Sequence, residues 1–178
     1  MTCIAGIEFN GKVYIAGDIQ GTGWNNKVLH TQPKIFNKEG VLFGFAGSYR
    51  FGQILEHQVP DPVIPNDETQ IYRWLISVLI PDIRKAMEDH GYEEGPCSLI
   101  GVRGQLWQLQ SDWSVLRSVK GYDTIGSGSE YASGSLYTMQ RELPAASSDD
   151  IISRLRTAIA AAGTFSPSVG TECTVLFV

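Results

Sequence analysis

Cationic residues are scarce in this chain. Lys and Arg number 14 against 19 Asp and Glu, a formal charge of −5 at pH 7. Nucleic-acid-binding surfaces carry a basic footprint, so this balance argues against that class. Long apolar runs are missing as well. The longest, residues 74–80, falls far short of the roughly 20 residues that a membrane-spanning helix needs. The opening MTCIAGIEF holds no basic stretch, and Glu8 interrupts its apolar run, so no secretory signal is expected and the expected location is cytoplasmic. Cysteine is limited to Cys3, Cys97 and Cys173, an odd and widely spread set without CxxC or Cys/His spacing. These read as reduced, small hydrophobes, and neither metal nor cofactor is expected. There is no repeat of 20–50 residues.

What is present suits one domain over residues 1–178, with 43% hydrophobic residues to build a core. Glycine, at 19 of the 178 residues, runs above the usual level of roughly 7% and points to tight turns and close strand approaches. Residues 2–9 and 13–18 read as strands about Asn10-Gly11, a strong hairpin signal. Residues 21–26 read as a polar, Gly-rich loop. Residues 34–37 and 41–46 form a second hairpin about Lys38-Glu39-Gly40. A helix is expected over 47–58, then a linker over 59–66 carrying Pro60, Pro62 and Pro65.

Asp67 can cap the next helix, whose apolar stripe is Ile71, Trp74, Leu75, Val78 and Leu79. Pro81 is expected to kink it before it continues over 82–90 to Gly91. Residues 97–103 and 105–110 form a third hairpin about Arg103-Gly104, with short strands over 114–118 and 122–125. GSGS at 126–129 opens a helix to about Arg141. Ser147 or Ser148 caps a last helix with the stripe Ile151, Ile152, Leu155, Ala158, Ile159 and Ala162, and residues 171–178 close the chain as a strand. Strands, two helices, strands, two helices and a strand bury every stripe when two sheets lie between helix pairs.

The chemistry concentrates at the start. Thr2 follows Met1, and a small residue there permits Met1 removal, which exposes an α-amine of pKa about 7.7–8.0 beside the threonine hydroxyl. Threonine paired with its own terminal amine is an activated nucleophile. Taken alone, position 2 is more simply a residue suited to Met processing. Asp18 ends an apolar strand, and Lys34 opens the next hairpin. If the first two strands pair with the third, Thr2, Asp18 and Lys34 meet at one end of a single sheet. A lysine cation there lowers the local proton affinity, and a carboxylate keeps that lysine charged. Cys3 alternates to the opposite sheet face from Thr2 and is a poor rival nucleophile. Trp24, Trp74, Trp107 and Trp113 read as packing or subunit-interface residues, and His30 as a loop residue.

The spacing of sixteen and then sixteen residues from Thr2 to Asp18 to Lys34 resembles that of β-type proteasome subunits and the HslV-type peptidase, which are N-terminal nucleophile (Ntn) hydrolases. Three further segments carry the likeness: Gly17-Asp18-Ile19-Gln20, Phe43-Gly44-Phe45-Ala46-Gly47, and Ile125-Gly126-Ser127-Gly128-Ser129 before Tyr131-Ala132. The resemblance is strong over 2–60 and 98–140. It implies an α+β fold, a four-layer αββα sandwich with two mainly antiparallel sheets between helix pairs.

It also implies threonine peptidase chemistry with Thr2, Asp18, Lys34, Ser127 and Gly47 as catalytic residues, Gly47 donating its N–H to the oxyanion and Ser127 orienting the amine. Gly21, Thr22 and Gly23 would pair with an extended substrate, and Thr22, Ile35, Phe45 and Tyr49 would line its pocket. Implied partners are a peptide or unfolded protein, further copies in a homo-oligomeric ring, and an ATPase unfoldase. One departure stands out: the family's Asp-x-x-Ser-Gly before the last strand is matched here by Ser168, with Phe165 at the aspartate position. A proteasome-like assembly protein that keeps Met1 and an amidohydrolase acting on small amides are the alternatives.

Overall fold

The computed structural model describes residues 2–23, 26–142 and 144–178, with the backbone alone at 22, 23, 26 and 27. Three tight turns set the register of the strands. Asn10 and Gly11, Glu39 and Gly40, and Arg103 and Gly104 all adopt positive φ, the left-handed pair that a two-residue hairpin turn requires. They join β1 (Ile4–Phe9) to β2 (Lys12–Asp18), β5 (Ile35–Lys38) to β6 (Val41–Phe45), and β7 (Ser98–Val102) to β8 (Gln105–Leu109).

Two main sheets result. One runs β10 (Tyr122–Ile125), β1, β2, β11 (Cys173–Phe177), and the other β5, β6, β7, β8, β9 (Val115–Leu116), with antiparallel neighbours throughout. Side chains alternate across each strand and sort the core into three layers. Ile4, Val13, Ile15, Leu42 and Leu99 meet between the sheets. Cys3, Ala5, Ile7, Tyr14 and Ala16 point the other way, onto α4 (Ser129–Glu142) and α5 (Ser148–Phe165). Val41, Phe43, Phe45, Ile100 and Val102 pack outward against α1 (Tyr49–His57), α2 (Ile71–Trp74) and α3 (Ile80–Asp89). The expected αββα sandwich is the observed architecture.

The helix ends follow their cap chemistry. Ser48 accepts from the Arg50 N–H at the start of α1, and Ser147 and Asp150 form a reciprocal capping box on α5. Asp67 caps a single 3₁₀ turn, Glu68–Gln70, ahead of α2. Between α2 and α3 the chain passes through a π-helical turn, Leu75–Leu79, so Pro81 sits in the first turn of α3, where its missing N–H is tolerated.

Two expectations are corrected. Residues 21–26 were expected to form a loop, but β3 (Gln20–Gly23) and β4 (Asn26–Leu29) pair as an antiparallel ribbon. Val28 and Leu29 of that ribbon are exposed, so no alternation toward a core announces it. And β5 belongs to the second sheet, so Lys34 approaches Asp18 across the sandwich instead of along one sheet.

Candidate active site

The end of β2 delivers Asp18 to the boundary between the sheets, where it is fully buried. Its two carboxylate oxygens each accept two hydrogen bonds. Oδ1 takes the Cys3 N–H at 2.9 Å and the Lys34 ammonium at 2.8 Å. Oδ2 takes the N–H groups of Gln20 at 3.2 Å and Gly170 at 3.1 Å. The Asp18 N–H in turn donates to the Cys3 carbonyl. One side chain thus ties together β2, the residue after Thr2, the start of β3 and the turn before β11. Lys34, 3% exposed, also donates to the Gln20 carbonyl. Burial pulls the Lys34 pKa below its ordinary value, and the Asp18 charge and hydrogen bond oppose that shift.

Thr2 is held from the other side. Its carbonyl accepts the Gly128 N–H at 3.3 Å and the Ser127 hydroxyl at 3.4 Å, so the turn before α4 grips the N-terminal segment. Ser127 Oγ lies 3.4 Å from Ser168 Oγ, which lies 3.0 Å from Ser166 Oγ. Phe165, at the position where the family pattern has aspartate, is 67% exposed and stacks on Tyr131. The polar groups beside Ser127 in this segment are therefore hydroxyls, from Ser166 and Ser168.

Beside Thr2 opens a cavity of about 270 Å³ lined by Ala46, Gly47, Ser48, Cys97, Glu94 and Ser127 among others. Gly47 has φ +94, a conformation that L side chains rarely adopt, at the bend where β6 hands over to α1. A second cavity of about 400 Å³ lies beyond the same bend, with Phe45, Tyr49, Gln32, Pro33 and Arg50 on its walls. The Tyr49 hydroxyl is buried there without a hydrogen-bond partner among the described residues, and its pKa is raised by burial and by the Asp18 charge.

The structure therefore brings Thr2, Asp18, Lys34, Ser127 and Gly47 into one neighbourhood. It puts Phe45 and Tyr49 on the adjoining cavity, and Ile35 in the core between the sheets. Gly21, Thr22 and Gly23 lie on the β3 ribbon, and the Thr22 side chain, Met1 and Trp24 lie outside the described residues. Cys3 is fully buried on the helix side, and burial pushes its thiol up to about 12. His30 sits edge-on to Tyr49 at 5.2 Å. Trp74 and Trp107 are core residues. Sequence reasoning missed Glu94 and Cys97, whose loop carries no periodicity, and Ser166. It also missed Gly126, where any Cβ would collide with the Thr2 carbonyl oxygen. The Gly126-Ser127-Gly128 run was the available signal, since glycine suits the positive φ that this turn takes. Among the described residues, no group of His, Cys, Asp and Glu is arranged to hold a metal, and no helix is long and apolar enough to cross a membrane.

No family model and no curated protein matches the sequence. Solved structures do match, over nearly the whole chain. BPH from Thiobacillus denitrificans in complex with epoxomicin aligns with a TM-score of 0.82 at 20% identity, covering 99% of this chain and 98% of that one. BPH in a second structure aligns at 0.81 and 20%, covering 99% and 97%. Eukaryotic HslV from Trypanosoma brucei aligns at 0.73 and 18%, covering 99% and 98%. The fold of this chain is that of these proteasome-like proteins.

Proposed function

We propose that this protein is an N-terminal threonine peptidase that cleaves peptide bonds through an acyl ester on Thr2, once Met1 has been removed. The observation that carries this reading is the buried Asp18 carboxylate, shared at one oxygen by the Lys34 ammonium and the backbone N–H next to Thr2. A buried ion pair costs desolvation and is weak evidence for stability as such, so its position beside a potential nucleophile asks for a functional account.

In this reading the Thr2 hydroxyl oxygen attacks the substrate carbonyl carbon, and its proton passes to the Thr2 α-amine. The Gly47 N–H, at the bend with positive φ, donates to the oxyanion. Collapse breaks the C–N bond, the amine returns the proton to the leaving group, and an ester remains on Thr2. Water, deprotonated by the same amine, opens the ester and restores the hydroxyl. Lys34 holds positive charge near the nucleophile, Asp18 positions Lys34, and Ser127 with Ser168 positions the amine. Gly21 to Gly23 offer backbone to an extended substrate. On this reading the protein works in the cytoplasm as a homo-oligomeric ring on peptides or unfolded protein, with an ATPase unfoldase as feeder; the fold likeness to HslV is what supports the ring.

Intact mass spectrometry of protein made in its host, combined with a peptide-turnover assay, tests the reading. Loss of one methionine mass, an epoxyketone adduct on Thr2, and a loss of product formation by at least about 10³ in Thr2→Ala are expected. Full retention of Met1 without turnover would instead indicate an assembly protein, and turnover of small amides alone would indicate an amidohydrolase.

A further inference from the structure

The cavity at Thr2 has one carboxylate on its walls, Glu94. The loop that carries it is pinned. At Gly95 a Cβ would fall 2.6 Å from the Ser111 carbonyl oxygen, so the backbone packs too closely there for any side chain. Pro96 follows and is buried. The Tyr92 hydroxyl donates to Glu94 Oε2 at 3.3 Å. Among the described residues, no Lys, Arg or His lies within ion-pair distance of Glu94.

Glu94 and Tyr92 also belong to the wall of a second hollow of about 420 Å³, which Thr2 does not line. That hollow adds Glu93, Glu88 and the Trp113 ring. The cation on its wall, Arg84, is spent on Glu88 at 2.9 Å and lies over Trp113. The walls that Glu94 shares with this hollow are therefore anionic and aromatic, with two carboxylates, Glu93 and Glu94, outside any ion pair among the described residues. A carboxylate beside an aromatic face is the environment that a guanidinium or ammonium group favours.

We infer that Glu94 is a specificity-determining residue, and that the substrate presents a Lys or Arg side chain to the cavity beside Thr2. The inference rests on the peptidase reading and names the substrate class for that site. It predicts discrimination in both directions. A basic side chain gains attraction and an acidic one meets repulsion at Glu94, so the ratio between them exceeds either effect alone.

The test uses Met1-processed full-length protein and a set of fluorogenic peptides, identical except for Lys, Gln or Glu placed in turn at each position flanking the scissile bond. At one of those positions kcat/KM for Lys over Glu is expected to be about tenfold or more, the ratio that roughly 1.4 kcal/mol of differential attraction produces. That ratio should shrink as salt is raised to about 1 M, where the screening length falls to ~3 Å. It should fall toward unity in Glu94→Gln and invert in Glu94→Lys. Thermal melts of both variants check that the loop still folds, and the within-variant ratio is insensitive to the fraction that is active. Labelling of Thr2 by an uncharged epoxyketone reports the peptidase reading separately. Labelled Thr2 with equal cleavage of Lys and Glu peptides at every position overturns the assignment of Glu94 and leaves that reading standing. So does a Lys preference that Glu94→Lys retains. Neither labelling nor cleavage by the processed protein overturns both.

Discussion

Asp18 has no spare acceptor capacity: each of its oxygens already takes two donors. An asparagine side chain has one carbonyl oxygen, so in either flip its NH₂ group faces two donors. Asp18→Asn also leaves the Lys34 ammonium buried without its counter-charge. Breaking one partner of a buried pair typically costs about 3–5 kcal/mol, and this variant is expected to fall in that range. Urea denaturation checks it, and a loss below about 1 kcal/mol would mean that the cluster relaxes or hydrates on mutation.

The pairing of Asp18 with Lys34 was expected because a charged residue closing an apolar strand needs a partner, and the resemblance carried by the sixteen-residue spacings pointed to Lys34. Glu94 was not. An exposed glutamate in a turn-rich stretch leaves no pattern, and only the packing of Gly95 on Ser111 makes its position definite.

Among the elements, the turn before α4 holds Thr2 in position. Gly126 has φ +92, and its missing side chain is what lets the Thr2 carbonyl approach. Gly121 has φ +68 but faces open space. The two positions separate strain from collision. Gly121→Ala is expected to cost only the penalty of a left-handed residue, about 1–2 kcal/mol. Gly126→Ala carries a similar penalty and in addition pushes Thr2 out of place, so epoxyketone labelling of Thr2 should be lost in Gly126→Ala and kept in Gly121→Ala. Equal labelling of the two would show that the Thr2 carbonyl is not held by this turn.

Hairpins were the most legible elements, since Asn-Gly, Glu-Gly and Arg-Gly each put glycine where the left-handed turn needs it. The β3–β4 ribbon was illegible for the converse reason, because its apolar residues Val28 and Leu29 are exposed and mark no core-facing stripe. The sheet partner of β5 was likewise hidden. Its short strand fits either sheet by pattern, and the choice is made by pairing with β6.

Across the whole molecule, side chains alternating along β1, β2, β6 and β7 fill three core layers at once; both faces of these strands are apolar, so the layered architecture was legible from the order of elements and the family resemblance. What alternation within one chain does not report is the outer surface. Tyr131 on α4 and Phe165 at the end of α5 stack at 5.7 Å while 45% and 67% exposed. Two aromatic rings left to water on neighbouring helices form the kind of apolar patch that marks an interface. If copies of this chain assemble through that patch, Phe165→Glu places a charge in a closing apolar contact and should shift the mass seen by light scattering toward that of the 19.5 kDa chain. The helix itself should survive, because Phe165 is its last residue and lies mostly exposed, so far-UV circular dichroism and the melting temperature at monomer concentrations should hardly change. A wild-type protein that runs as a monomer at tens of micromolar would refute the assembly. An oligomer untouched by Phe165→Glu would move its contact to another face.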